Sequence, residues 1–150
     1  MDILKLYLDY FVFGILGFMS FLMLTFAIER LLYYARIKSK LVSFQNMPEL
    51  EIALTNNLTT ISTIGANAPY VGLLGTVLGI MITFYDIGQG GQIDANTVML
   101  GLALALKATA AGLLVAIPSI MFYNGLLRKV EVLKALWLQL PENSENSQTL

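Results

Sequence analysis

The sequence predicts an all-α membrane protein in which three transmembrane helices are extended by cytoplasmic helices. Apolar residues make up 57% of the 150 residues and charged residues only 13%, and the mean hydropathy is +0.71. A water-soluble domain typically carries about 25% charged residues. The charges are also clustered, and they leave three apolar stretches of roughly 19 residues or more. Each stretch is long enough to cross a hydrocarbon core of ~30 Å as a helix.

The first apolar stretch covers residues 10–28. A cleaved signal peptide is the alternative for an apolar run near an N-terminus. The stretch is longer than the usual apolar core of ~7–15 residues, lacks a positively charged segment before it, and ends without a small-residue cleavage site. We therefore expect an uncleaved first transmembrane helix.

The positions of basic residues predict the topology. The second and third apolar stretches cover residues 69–85 and 97–123, and the turn between them, residues 86–96, contains Asp86 and Asp94 but no Lys or Arg. Lys and Arg close to a helix end mark the cytoplasmic side. They follow the first stretch at Arg30, Arg36, Lys38 and Lys40, and the third at Arg128, Lys129 and Lys134. We expect three crossings with the N-terminus outside and the C-terminus inside.

The segments between the spans carry helix signals of their own. Apolar residues at helical spacing after Arg30 predict that the first helix continues past the membrane. Asn46, followed by Pro48 and Glu49, predicts the start of a second cytoplasmic helix that runs towards Pro69. The helical period of the third span continues through residues 124–140, and we expect the polar tail, residues 142–150, to be disordered.

The external turn is rich in helix-ending residues. We expect Gly88, Gly90 and Gly91 to break the second transmembrane helix and Asp94 to cap the third.

The composition also argues against several classes of function. The chain has no Cys and no His, so thiol chemistry, imidazole bases and the usual zinc ligands are absent. The net charge is −1, and no phosphate-binding loop is found. We expect neither an enzyme nor a nucleic-acid-binding protein.

The second and third spans each carry small residues along one face. Small residues that recur every three or four positions let helices approach closely in lipid, which is the simplest explanation of these two faces. The faces are formed by Gly72, Gly75, Thr76, Gly79 and Thr83 in one helix and by Gly101, Ala105, Ala108, Thr109, Gly112 and Ala116 in the other.

Thr76 and Thr109 lie near mid-span on these faces. A buried Thr hydroxyl can bond back to its own helix, which would be a structural role. It can also line a space filled by water or by a partner protein. There the hydroxyl can order water or hydrogen-bond a carboxyl group, but it cannot store a proton because it does not titrate. The sequence leaves both explanations open.

Lys107 is the one ionisable residue inside a predicted span, about ten residues and roughly 15 Å from its outer end. Ionisable residues are costly in lipid and mark pathways or charge partners. We expect no Asp or Glu of this chain at that depth, so either a carboxylate comes from another chain or burial keeps Lys107 neutral. Pro118 is expected to bend the same helix.

The two small-faced helices resemble a known family. Residues 68–81 read A-P-Y-x-G-L-L-G-T-V-x-G-I-M and residues 105–118 read A-L-x-A-T-A-x-G-L-x-V-A-I-P. Both are similar to the MotA/TolQ/ExbB proton-channel family. The short chain and its outside-to-inside arrangement of three helices resemble the ExbB branch most closely.

The resemblance implies a homopentamer in the inner membrane of a Gram-negative bacterium, with its second and third helices around a pore. It implies an ExbD-like single-span partner that carries a protonatable Asp in that pore. The proton-motive force would then drive movement that energises a TonB-like protein, with protons as the coupling ion and no other cofactor. Leu104 stands where the ExbB and TolQ proteins have a Glu, so the partner's Asp must carry the titration.

On this basis each candidate site residue has an expected role. The pore lining and proton pathway comprise Thr76, Thr109, Thr83 and Lys107. Helix packing and bending are assigned to Gly72, Gly75, Gly79, Gly112 and Pro118.

Two alternatives remain open at this stage. One is a TolQ-like subunit of the Tol envelope-maintenance system, which is favoured over a flagellar stator because no fourth span is visible. The other is a membrane scaffold without ion flux, although a scaffold needs no intramembrane charge such as Lys107.

Overall fold

The computed structural model describes residues 2–90 and 94–141. In this part of the chain there are four α-helices and one short 3-10 helix, and no strand. The α-helices are α1 (Asp2–Ile37), α2 (Met47–Thr55), α3 (Leu58–Gly90) and α4 (Ala95–Leu138), and the 3-10 helix is Lys38–Ser43. The all-α class predicted from the composition is confirmed.

Three of these helices are long and apolar enough to cross a membrane. They are α1 with its 3-10 extension (Ile3–Ser43), α3 and α4. At ~1.5 Å per residue even α3 is roughly 50 Å long, well beyond a hydrocarbon core of ~30 Å. Each of the three helices is therefore longer than the span predicted for it, while the position of the membrane and the side that each end faces stay predictions.

The helix ends that are predicted to be cytoplasmic enclose an apolar core. Leu50 and Leu54 of α2, Ile61 of α3 and Leu126 of α4 are each at most 1% exposed. The predicted apolar face of α4 packs here, and the indole N–H of Trp137 donates to the Phe44 carbonyl at 3.3 Å. Burial of this face stabilises the part of the bundle that lies outside the predicted spans.

A polar cluster joins the end of the first predicted span to the start of α3. Arg30 is only 4% exposed; it pairs with Glu29 and donates to the Ala53 carbonyl at 3.1 Å. Asn57 Nδ2 donates to Glu29 Oε2 at 3.2 Å, and the Tyr34 hydroxyl donates to the Leu54 carbonyl at 2.6 Å. These bonds satisfy buried polar groups and fix the turn before α3 against α1.

The predicted start of α2 is confirmed, but its predicted continuation to Pro69 is wrong. Asn46 Oδ1 accepts the Glu49 backbone N–H at 2.9 Å, and Glu49 Oε2 accepts the Gln45 backbone N–H at 3.2 Å, a reciprocal cap. The helix then ends at Thr55. Asn57 adopts a positive φ of 64°, which reverses the chain locally and starts a new helix.

The new helix, α3, begins at Leu58, so Pro69 lies inside it. A proline inside a membrane helix lacks one backbone donor, and neighbouring helices and polar side chains can compensate.

The turn between α3 and α4 is shorter than expected; the helix ends beside it are predicted to be external and are called the outer ends below. Helix α3 continues through Gly88 to Gly90, so the prediction that Gly88 breaks the helix is wrong. Asp94 caps α4 as predicted, since Oδ1 accepts the Asn96 N–H at 3.3 Å. Gly91 and the polar tail, residues 142–150, lie outside the described residues.

We predict that the turn before α3 depends on Asn57. Alanine at this position should lower stability by roughly 1–2 kcal/mol, because a residue with a Cβ is strained at positive φ, and it also loses the bond to Glu29. Glycine loses the bond but accepts the backbone conformation, so Asn57→Gly should unfold at a higher temperature than Asn57→Ala. Thermal unfolding of both variants in detergent checks the order, and equal midpoints would contradict it.

Candidate functional site

The small faces of α3 and α4 pack directly against each other. A Cβ added at Gly72 would lie 2.5 Å from the Ala108 carbonyl oxygen and 3.1 Å from the Gly112 Cα. A Cβ at Gly112 would lie 2.6 Å from the Ala68 carbonyl oxygen. At these two positions the backbones are so close that only glycine fits without a shift of the helices.

Helix α1 joins this interface at Gly75. A Cβ there would lie 2.8 Å from the Ala108 Cβ and 2.9 Å from Val12 Cγ1. All three membrane helices therefore meet at one level. Gly79 lies further towards the outer end, where a Cβ would approach the Ala105 Cβ to 3.0 Å.

The structure brings Thr76 and Thr109 together between the two arms of the hairpin. Their hydroxyl oxygens are 2.5 Å apart, and Thr76 Oγ1 also lies 3.0 Å from the Ala105 carbonyl and 3.3 Å from the Gly72 carbonyl. Thr76 is 6% exposed, whereas Thr109 is only partly buried. The two hydroxyls form a pair at the edge of the α3–α4 interface.

This pair has more acceptors than protons. Each hydroxyl has one proton to donate and can accept through its oxygen, while two carbonyl oxygens and the second hydroxyl compete for the proton of Thr76. The pair can therefore reverse its donor and acceptor roles by rotation of two O–H bonds. Such a pair can pass a proton or order water, but it cannot store a charge.

Thr83 lies two turns nearer the outer end of α3. It is 3% exposed, and its hydroxyl donates to the Gly79 carbonyl at 2.9 Å. Its side chain fills the space over Gly101, where a Cβ would lie 2.5 Å from Thr83 Cγ2. The described contacts of Thr83 are those of a packed residue, and its predicted place in a proton pathway stays a prediction.

Lys107 lies on a different face of α4. It is two residues from Thr109, which places the two side chains about 200° apart around the helix. Lys107 is exposed, and within residues 2–90 and 94–141 it makes no ion pair. The hairpin therefore does not join Lys107 to the threonine pair.

A small cavity, which was not predicted from the sequence, lies between the outer ends of α1, α3 and α4. Its volume is about 60 Å³, and it is lined by Lys5, Leu8, Asp9, Gly79, Thr83, Gly101, Leu104 and Ala105. Beside it, Lys5 Nζ contacts Asp86 Oδ2 at 2.7 Å. One pattern in the sequence could have indicated this contact of α1 with α3 and α4. The spacing of Lys5, Leu8, Asp9 and Val12 places these residues on one face of a helix that starts before residue 10.

An open groove of about 370 Å³ lies at the opposite end of the hairpin. Hydroxyl and amide side chains of α2 and α3 line it together with Tyr123 and Leu127 of α4; they are Thr55, Thr59, Ser62, Thr63 and Asn67. The run T-T-I-S-T at residues 59–63 was the signal for this polar surface.

Pro118 lies inside α4, as the sequence places it. The next residue, Ser119, donates its hydroxyl to the Val115 carbonyl at 2.7 Å. The bend that is expected at Pro118 stays a prediction.

In the described part of the chain, no three acidic, His or Cys side chains are grouped so as to hold a metal ion.

Comparisons with known proteins agree with this arrangement. The model of the MotA/TolQ/ExbB proton channel family matches residues 22–139. The chain is 56% identical over 133 residues to "Biopolymer transport protein ExbB" of Helicobacter pylori strain J99, which covers 89% of this chain and 90% of that protein. It is 53% identical over 131 residues to the protein of the same name from Aquifex aeolicus, with coverage of 87% and 86%.

A third relative carries a related name. "Putative biopolymer transport protein ExbB-like 2" of Helicobacter pylori strain 26695 is 49% identical over 134 residues, with coverage of 89% of this chain and 88% of that protein.

Proposed function

Because the chain belongs to the MotA/TolQ/ExbB proton channel family, we propose that it is the channel subunit of an energy-transducing complex. The complex would lie in the inner membrane of a Gram-negative bacterium. It would use the proton-motive force to energise TonB-dependent uptake across the outer membrane. The observation that carries this proposal is the Thr76–Thr109 hydroxyl pair between two packed membrane helices.

The proposal assigns the titratable group to a partner. A threonine hydroxyl does not ionise and therefore cannot store a proton. The family resemblance places a Glu at position 104, but α4 carries Leu104 there. An ExbD-like single-span protein with an aspartate in the membrane would supply the missing carboxylate. Protons would be the coupling ion, and the hydroxyl pair would order water or bind the carboxyl group as it changes protonation.

Exposed apolar side chains of a single chain support its assembly into a ring with other copies. Large apolar side chains of both hairpin helices face outwards, among them Leu73, Val77, Leu106 and Leu113, which are 44–58% exposed. Thr109 also stays partly exposed at the edge of the hairpin. We propose that these faces contact neighbouring copies and the partner in a homopentamer.

The names of the relatives support uptake rather than the Tol system. All three relatives described above are named for biopolymer transport and for ExbB, so a TonB-like protein is the proposed recipient of the work. A non-conducting scaffold has no observation in its favour.

Co-expression tests this proposal. The chain should co-purify with a membrane protein that has one N-terminal span bearing an aspartate, and native mass spectrometry should show five copies of the chain with that partner. Changing the partner's aspartate to asparagine should leave the complex assembled but stop proton flux in liposomes. A stable monomer that conducts protons without a partner would contradict the proposal.

A further inference from the structure

We propose that Asp9 of α1 is the counter-charge of Lys107 in the same chain. From the sequence we expected no Asp or Glu of this chain at the depth of Lys107, which left either a carboxylate from another chain or a Lys107 kept neutral by burial. The packing of α1 changes that view. This pairing goes beyond the proposed function, and it lies partly outside residues 22–139, the region matched by the family model.

The two residues lie at nearly the same depth. Val12, Gly75 and Ala108 meet at one level of the bundle. Asp9 is three residues outward of Val12, or ~4.5 Å, and Lys107 is one residue outward of Ala108, or ~1.5 Å. Their depths therefore differ by ~3 Å, well within the reach of a lysine side chain.

The two residues also lie on the same side of the bundle. Asp9 and Leu104 line the same cavity of about 60 Å³, so Asp9 is on the flank of α1 that faces α4. Lys107 is three residues after Leu104, and side chains at this spacing are neighbours on a helix surface, ~5–6 Å apart at Cβ. Asp9 and Lys107 are therefore both neighbours of Leu104.

The other charged side chains described near the cavity are either paired already or too far from Lys107. Lys5 is held by Asp86 at 2.7 Å. Asp94 caps the first turn of α4, 13 residues and roughly 20 Å from Lys107. Ionisable groups within a membrane pair with one another or face water, and Asp9 is the acidic group that is left at the level of Lys107.

The pairing needs rotation of side chains only. Asp9 and Lys107 are both exposed, and neither takes part in an ion pair among the described residues. A bond between them would neutralise Lys107 and fasten the outer half of α1 to the hairpin. No movement of a helix is required.

Cross-linking tests the geometry independently of function. The chain has no cysteine, so a D9C/K107C pair can be joined by a short bifunctional thiol reagent without a background reaction. The control is D9C/L106C, because Leu106 is at the same depth but about 100° around α4. We expect severalfold more intrachain product, measured as intact mass, for D9C/K107C than for the control. Equal yields would overturn the proposal, as would a product that joins two chains.

A charge cycle tests the interaction itself. D9N and K107M should each lower the midpoint of thermal unfolding of the purified protein by ~2–4 °C, whereas the combined variant should lose less than the sum of the two. The reversed pair, D9K/K107D, should unfold close to the original protein. An unchanged midpoint in D9N together with a lowered one in K107M would show that the counter-charge comes from elsewhere, and would overturn the proposal. Both experiments can fail while the chain still conducts protons.

Discussion

Replacing Gly112 with alanine is expected to separate the two arms of the hairpin and to abolish activity. The added Cβ would lie 2.6 Å from the Ala68 carbonyl oxygen and 3.1 Å from the Gly72 Cα. Both contacts are with backbone atoms, which cannot rotate away, so the helices must move apart. We expect a loss of roughly 1–3 kcal/mol or more in stability and disruption of the nearby Thr76–Thr109 bond.

A matched control is available on the same helix. Apart from its own helix backbone, no described atom lies within 4 Å of a Cβ added at Gly125. Gly125→Ala should therefore be neutral or stabilising by about 0.5–1 kcal/mol through the better helix propensity of alanine. Thermal unfolding in detergent and recovery of the assembled protein measure both variants. If Gly112→Ala matched Gly125→Ala in both measurements, the close approach of the two helices would be refuted.

Replacing Thr76 with valine should remove function while the fold persists. Valine keeps the branched shape, so packing against Gly72 and Ala105 is retained, but the bond to Thr109 is lost. A net hydrogen bond contributes only ~1 kcal/mol to stability. We expect the variant to assemble and to lose most TonB-dependent uptake, measured as growth on an iron chelate or as uptake of a labelled cargo.

Two further variants separate the hydroxyl from the shape. Thr76→Ser keeps the hydroxyl and should retain most uptake. Within the described residues the Thr25 hydroxyl of α1 bonds only to the Phe21 carbonyl, at 2.8 Å. Because this bond is local to its own helix, Thr25→Val should have little effect. Equal uptake by the Thr76→Val and Thr76→Ser variants would show that the hydroxyl has no part in the route.

Most of the fold follows from local sequence signals. Apolar stretches predict the three long helices, because length and composition decide which segments can cross a bilayer. The caps at Asn46 and Asp94 are likewise visible, since each depends on a side chain and a backbone N–H two or three residues away. The contact between the small faces follows from residue size at helical spacing.

Features that depend on tertiary register were not predictable. The break at Asn57 depends on one residue at positive φ, and the apolar period runs across it without interruption. The placement of Asp9 beside Leu104 depends on how far α1 is shifted along the hairpin, which the sequence of α1 alone does not state. The different orientations of Lys107 and Thr109, by contrast, follow from their two-residue spacing, which alone places them about 200° apart around α4.

The two polar features of α4 have different neighbours. Thr109 forms a hydroxyl pair with Thr76 of α3 at the edge of the hairpin interface. Lys107 is exposed on another face of the helix, towards α1 in the proposed pairing. The place of both residues in a pore lining stays a prediction, and in the proposed mechanism the threonine pair acts with the partner.

Proton flux through the purified complex tests the central claim most directly. The chain and its single-span partner are placed in liposomes, a membrane potential is imposed with a potassium gradient and valinomycin, and internal pH is followed with a trapped dye. We predict proton entry with the original chain and a fall of about tenfold or more with Thr76→Val, equivalent to ~1.4 kcal/mol or more at the barrier. Equal proton entry with the Thr76→Val chain would contradict the account.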